Sequence, residues 1–331
     1  MRWAIYKRPQ DEKATLVRQL STFSKAETRF VAAPFNPQDF PVVNIAGDEV
    51  MSVDVAGNDA LTHVDMTLVD DGRGQYEKNF KSCLNELQEQ KFTKIVLSRC
   101  EEYLCENDEG MRMRLFARAC RAYPENFVAM WTLPSGETWL TMTPEILLKR
   151  RGMKCEVMAL AGTETYTETL AKDVEAWTEK NREEQWVVSD FVRCVLEEEV
   201  KDAEASSVRP VKTGDLLHLC TDFTFDLKSL DQQDRIVKAL HPTPAVCGFP
   251  REETMTTINE TEPERRYYSG YAGPVSKNEC DLYVTLRCVE FPGSRHLRLY
   301  AGGGLLKEST LESEWEETVR KMGTVKAVLG I

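Results

Sequence analysis

Apolar and polar positions along the chain fall into two kinds of pattern. Short runs that alternate or stay apolar occur at 2–7 (RWAIYK), 29–35 (RFVAAPF), 94–104 (KIVLSRCEEYL), 127–133 (FVAMWTL) and 138–143 (TWLTMT). Further runs occur at 146–151 (ILLKRR), 155–162 (CEVMALAG), 282–291 (LYVTLRCVEF) and 297–303 (LRLYAGG). Each predicts a strand, and their closeness in sequence favours antiparallel pairing. A helical period marks 76–90, 113–123, about 167–201 and the tail from about 311. The fold expected is α+β, a large and mostly antiparallel β-sheet sandwich with helices covering it. No fixed-period repeat or low-complexity segment interrupts it.

The weakest boundary lies at DDGRGQ, residues 70–75. It separates a strand-and-loop lead-in over 1–74, packed on the main domain, from a main domain over 75–331. At 331 residues with 42% hydrophobic composition the chain can bury a sizeable core. A net charge of −12 opposes nucleic acid or an anionic membrane as the main partner, although a local pocket can still hold a small anion. Neither a signal-peptide core at MRWAIYKRPQ nor a membrane-length apolar run is present, so the expected location is the cytoplasm. Ten cysteines and four histidines contain no CxxC pair and read as scattered thiols.

Several charged residues sit where the apolar pattern calls for core. Glu184 lies three and four residues before Val187 and Val188, which puts a carboxylate on their buried helix face; a solvated start to that face is the competing reading. In the last helix Leu311, Trp315, Met322 and Val325 form a core stripe, and Glu314, Glu317 and Lys321 line the neighbouring face. Two carboxylates on one face repel unless a cation lies between them, and an oxygen-only set suits Mg²⁺; plain surface charge is the competing reading. The run YAGGGLL (300–306) can offer backbone N–H groups to an anion. Arg287 in an apolar strand needs a carboxylate partner, from the protein or from a dianionic ligand. Lys94 opens a strand and Glu145 stands at a turn before an apolar run; such groups can serve as base and acid when burial shifts their pKa.

These segments, in this order, resemble the chorismate-utilising family of isochorismate synthases, salicylate synthases, anthranilate synthase large subunits and aminodeoxychorismate synthases. The matching motifs are KIVLSR from Lys94, TPE ending at Glu145, ALAGT from Ala159, KNREE ending at Glu184 and HPTPAVCGFP from His241. RRYYSGYAGPV from Arg265, LYVTLRC through Arg287 and YAGGGLLKESTLESEWEETVRK complete the set. The resemblance runs from about residue 75 to the C-terminus, and it makes 75–331 a chorismate-binding catalytic domain. It implies Mg²⁺ held by Glu184 and Glu317, with Glu314 close by and acting through water. It also implies chorismate held by Ala161, Gly162, Thr163, His241, Arg287, Tyr300, Gly302, Gly303, Gly304 and Lys321. By the same resemblance Lys94 activates water for attack at C2, and Glu145 protonates the departing C4 hydroxyl.

Within that family Ala161 stands where the aminodeoxychorismate branch carries a nucleophilic lysine, which disfavours that branch. The ALAGT element and the short lead-in fit isochorismate synthase better than anthranilate synthase; salicylate synthase is the runner-up, and a chorismate-binding pseudoenzyme is the noncatalytic alternative. Cys247 and the Thr141–Met142 pair depart from the family pattern without touching the acid, base or metal ligands. The short form tilts the expected pathway toward menaquinone, with catechol siderophores as the alternative. No obligate protein partner is evident, and a monomer is expected.

Overall fold

The computed structural model describes residues 2–55, 64–200, 202–262 and 264–331. Two antiparallel sheets face each other across an aromatic core. Tyr6, Phe127, Trp131, Trp139 and Tyr300 come from one sheet, and Phe30, Ile146, Ala272 and Tyr283 from the other. Phe127 stacks on Tyr283 with centroids 4.2 Å apart, so the two inner faces interlock directly. The almost wholly buried runs Phe127–Thr132 and Thr138–Thr143 lie in the middle of the larger sheet, where both faces are covered.

Helices close the outer faces. In chain order they are α1 (Arg73–Gln88), α2 (Glu109–Ala122), α3 (Glu179–Glu199), α4 (Leu230–Leu240), α5 (Arg251–Thr261) and α6 (Leu311–Leu329). Apolar stripes of α2 and α6 cover the larger sheet, with Leu115, Phe116, Met322 and Val325 against Met130, Leu140 and Leu299. Val188, Val192 and Leu196 of α3, with Ile236 and Leu240 of α4, cover the smaller one. Strands from the first 74 residues extend both sheets: Arg2–Lys7 pairs with Phe127–Thr132, and Arg29–Ala33 with Tyr271–Val275.

Two expected elements differ from the pattern reading. The helix anticipated over 167–201 begins at Glu179, because the Thr178 hydroxyl accepts from Asn181 N and caps it; residues 174–176 form only a short 3₁₀ turn held by Asp173. The strand anticipated over 282–291 is two strands, Glu279–Val284 in the smaller sheet and Cys288–Phe291 in the larger. Between them Thr285, Leu286 and Arg287 carry the chain from one sheet to the other, with Arg287 in the left-handed region at φ 48°. Thr138–Thr143 and Ile146–Arg151 make the same crossing through Pro144 and Glu145. The two crossings are tied together: Val284 N donates to Glu145 O at 3.0 Å, and Thr141 Oγ1 donates to Leu286 O at 2.7 Å.

Candidate active site

The paired crossings open a cavity between the sheets. Its wall includes Glu145, Ala161, Gly162, Thr163, Glu184, His218, Arg287, Tyr300, Gly302 and Lys321. Of the residues singled out from sequence, Lys94, Glu314 and Glu317 stand just behind this wall, around the glycine strand. His241 is not part of it. Its Nε2 bonds Pro34 O at 3.0 Å and its ring meets Tyr271 edge-on, while Ala245 and Val246 of the same loop reach the cavity instead.

Glu145 is fully enclosed, and burial pushes its carboxyl up to about 8 against the opposing pull of Lys94, Lys321 and Arg287. It is therefore a neutral acid near pH 7 and can donate a proton into the cavity. Arg287 faces the same space. Among the described residues no carboxylate lies within ion-pair distance of it, and burial lowers its pKa. An unpaired guanidinium on a cavity wall is suited to a carboxylate ligand.

Gly302, Gly303 and Gly304 lie inside the strand His296–Leu305, opposite Ser98, Leu97 and Val96. Val96 N donates to Cys247 O and Ser98 N to Glu262 Oε1, both pointing away from the glycine strand. Residues opposite such positions also turn their N–H groups outward, so Gly302 and Gly304 aim theirs at the open edge while Gly303 is spent on the ladder. The anion cradle expected at the glycine run is thus two donors wide. Lys321 Nζ already takes one carbonyl of that edge, Gly302 O, at 2.8 Å.

The glycines also make room. A Cβ on Gly304 would stand 2.3 Å from Glu184 Oε1 and 2.8 Å from Lys94 Cε, and one on Gly303 would stand 3.3 Å from both Glu314 Oε2 and Glu317 Oε1. Successive strand positions face opposite sides, so Glu184 arrives from one face and the α6 pair from the other. Each carboxylate has a lysine: Lys94 Nζ is 3.0 Å from Glu184, Lys180 Nζ 2.5 Å from Glu314 and Lys321 Nζ 2.7 Å from Glu317. Glu184 is held below the usual carboxylate range, because Lys94, Lys180 and Lys321 together outweigh the upward push of burial. Among the described residues no three His, Cys, Asp or Glu side chains stand close enough to hold a metal as they are. Glu312 and Glu316 are exposed, as their helix positions predict.

His218 was not visible from sequence. It is buried in the strand Leu216–Asp226, and its Nδ1 lies 3.0 Å from Gly162 O and 3.2 Å from Thr163 Oγ1. A carbonyl only accepts, so Nδ1 carries the proton and Nε2 keeps its lone pair. Burial, with Arg287 and Lys321 adding to it, pushes this imidazole down to about 3 and keeps it neutral. Its bond to Gly162 lies at the bulge between Ala161 and Glu164, where Gly162 has φ 71° and a Cβ would press on Asn181 O at 3.1 Å. Tyr300 contributes its ring and backbone: its hydroxyl donates to Glu290 Oε2 at 2.5 Å, and its ring stacks between Trp139 and Tyr268.

A sandwich whose chain crossings present a neutral acid and an unpaired arginine to one cavity defines an enzyme that works on a small anion. The family model for chorismate binding enzymes matches residues 52–330, and the chain belongs to that family. Over 267 residues it is 31% identical to the vibriobactin-specific isochorismate synthase of Vibrio cholerae, with 78% of this chain and 67% of the relative aligned. It is 31% identical over 248 residues to the isochorismate synthase EntC of Escherichia coli K12, with 72% of this chain and 62% of the relative aligned. The match thus spans about two thirds of either relative. A Bacillus anthracis structure assigned as a 2,3-dihydroxybenzoate-specific isochorismate synthase, DhbC, superposes with TM-score 0.83 at 25% identity, covering 99% of this chain and 96% of the other. The menaquinone-specific isochorismate synthase MenF of Escherichia coli shares the fold, with TM-score 0.82 at 19% identity and coverage of 99% and 89%. No helix among the described residues is long and apolar enough to cross a membrane.

Proposed function

We propose that this chain isomerises chorismate to isochorismate, adding water at C2 and releasing the C4 hydroxyl. The observation that carries the reading is Glu145, a buried carboxyl pushed up to about 8 in a cavity that also holds the unpaired Arg287. A dianion entering there meets Arg287, Lys321 and the outward N–H groups of Gly302 and Gly304. Glu145 then protonates the departing hydroxyl, and the neutral-amine form of Lys94 takes the proton from the attacking water, after which Glu184 at 3.0 Å stabilises the ammonium that forms. Ala161 ends in a methyl and presents no amine to the ring. His218 Nε2 keeps a lone pair that can accept from a ligand hydroxyl, which favours a hydroxylated substrate.

Mg²⁺ fits the donor set. Glu184, Glu314 and Glu317 supply oxygen only, and Glu314 Oε2 is buried without a hydrogen-bond partner, as a ligand atom awaiting a cation is. Glu184 and Glu317 would hold the ion with Glu314 beside them, once Lys180 gives way. Bound there, it would supply positive charge to a substrate carboxylate. The isochorismate so made would serve either menaquinone or a catechol siderophore; a vibriobactin-specific relative aligns in sequence and a menaquinone-specific structure aligns in fold.

Product analysis tests the proposal. Chorismate and Mg²⁺ incubated with the chain in ¹⁸O-labelled water should give isochorismate carrying one label at C2, with chorismate still present at equilibrium. Salicylate and pyruvate at neutral pH would move the chain to a lyase, and an unchanged chorismate spectrum would make it a binder. Chelator, Glu184→Gln and Glu317→Gln should each abolish turnover; activity within a few-fold of wild type would remove the magnesium assignment.

A further inference from the structure

The three lysine–glutamate pairs around the glycine strand are not equivalent. The Lys94 side chain has no exposure and that of Lys321 15%, whereas Lys180 keeps 30% of its side chain in solvent. Lys180 stands in the first turn of α3 and reaches across to Glu314 of α6. Its ammonium feels Glu314 most strongly, then Glu317 and Glu184, the three carboxylates assigned to the cation. Its partner Glu314 is 1% exposed and still has one oxygen unbonded, so the lysine neutralises this carboxylate without saturating it. Lys94 and Lys321 cannot leave without breaking enclosed contacts; Lys180 needs only a rotation of its stem toward water.

We propose that Lys180 is a displaceable counter-cation: its ammonium stands in for the divalent ion among Glu184, Glu314 and Glu317 and swings out as that ion enters. Lys180 therefore sets how tightly the site holds its metal. The inference rests on the magnesium reading given above. Two like-signed cations cannot share one carboxylate cluster without repulsion, and an uncompensated buried carboxylate is costly, so the cluster alternates between the two.

The test is a titration of the chelator-stripped full chain with Mn²⁺, free ion being read by electron paramagnetic resonance without substrate. Lys180→Met should tighten Mn²⁺ binding by about tenfold or more, the lower end of what a charge within 4–6 Å does to a neighbouring ionisable group. Lys180→Arg, which keeps the charge, should stay near wild type. In chelator Lys180→Met should melt below wild type, and saturating Mn²⁺ should close the gap; a residue with a merely structural role would leave the gap open in both. Should Lys180→Met fail to fold, Lys180→Gln provides the same neutral comparison. Unchanged or weaker Mn²⁺ affinity in the neutral variant overturns the inference. A wild-type chain that binds no Mn²⁺, or a Glu317→Gln chain that binds as well as wild type, overturns the magnesium reading itself.

Discussion

A carboxyl surrounded by three cations would ordinarily be ionised, yet at Glu145 burial outweighs Lys94, Lys321 and Arg287 together and leaves an acid at about 8. Its catalytic form is the protonated one, so turnover should fall as pH rises through that value. Glu145→Gln should cost about 10² to 10⁴ in rate and erase that limb while chorismate still binds. Calorimetry showing equal loss of affinity would make Glu145 an anchor instead of an acid. The sequence showed Glu145 at a turn before a buried run, which was enough to nominate it but not to set its pKa, because the burial comes from a second crossing some 140 residues away in the chain. His218 left no such trace. It stands in LLHLCTDFTFD, whose first half is apolar but for the histidine itself and whose second half alternates, so no single period marked the strand or set the histidine apart from core.

The glycine strand and the crossings decide the geometry at the scale of elements. The sequence located the glycines and gave them an anion-cradling role, but their pairing with 96–98 leaves only alternate N–H groups free, a consequence of register that one strand cannot reveal alone. Their second task, leaving space for Glu184 and Lys94, sets a sharp expectation. Gly304→Ala should abolish turnover and cost about 1–3 kcal/mol of stability, the usual range for overpacking. Gly323→Ala is the control: it lies exposed in α6 with nothing within 4 Å of its Cβ site, so it should add about 0.5–1 kcal/mol and leave activity unchanged. Equal effects in urea unfolding would show that the Gly304 contacts relax. Arg287 owes its place to the crossing that splits one apolar run into two strands, and Thr141 holds the carbonyl just before it. Arg287→Ala should raise KM for chorismate about ten- to hundredfold, as expected for charged hydrogen bonds worth about 1.5–3 kcal/mol; a change in kcat alone would separate Arg287 from substrate binding.

Across the whole molecule most buried runs of both sheets were legible, because apolar stretches survive any context, with Leu216–Asp226 the exception. The strand Lys13–Gln19 and the edge strand Glu49–Asp54 beyond it were not, since half-solvated strands near an edge carry no consistent period. α5 was missed for a related reason: its sequence, REETMTTINET, is rich in threonine, and only Thr254, Thr257 and Ile258 are buried. What the assembled fold adds is a set of titrating groups whose opposing slopes shape stability. His218 and His241 are pushed down to about 3 and about 4 from an ordinary 6.5, chiefly by burial. Between those values the unfolded chain binds more protons, so their contribution is present above about 6.5 and is lost as pH falls. Glu145 acts in the other direction: its folded pKa lies above the ordinary 4.5, so stability is full below 4.5 and declines as pH rises through about 8. Each group contributes a slope of at most about 1.4 kcal/mol per pH unit. Two rising slopes against one falling slope below 6.5, and the falling one alone above it, place the maximum of these three terms near pH 6.5. In urea unfolding Glu145→Gln should flatten the decline between pH 7 and 8, and His241→Gln, outside the cavity, should flatten the acid side without altering the alkaline one. Parallel curves for wild type and both variants would mean that these groups titrate alike in the folded and unfolded chain, and the neutral acid at Glu145 would lose its support.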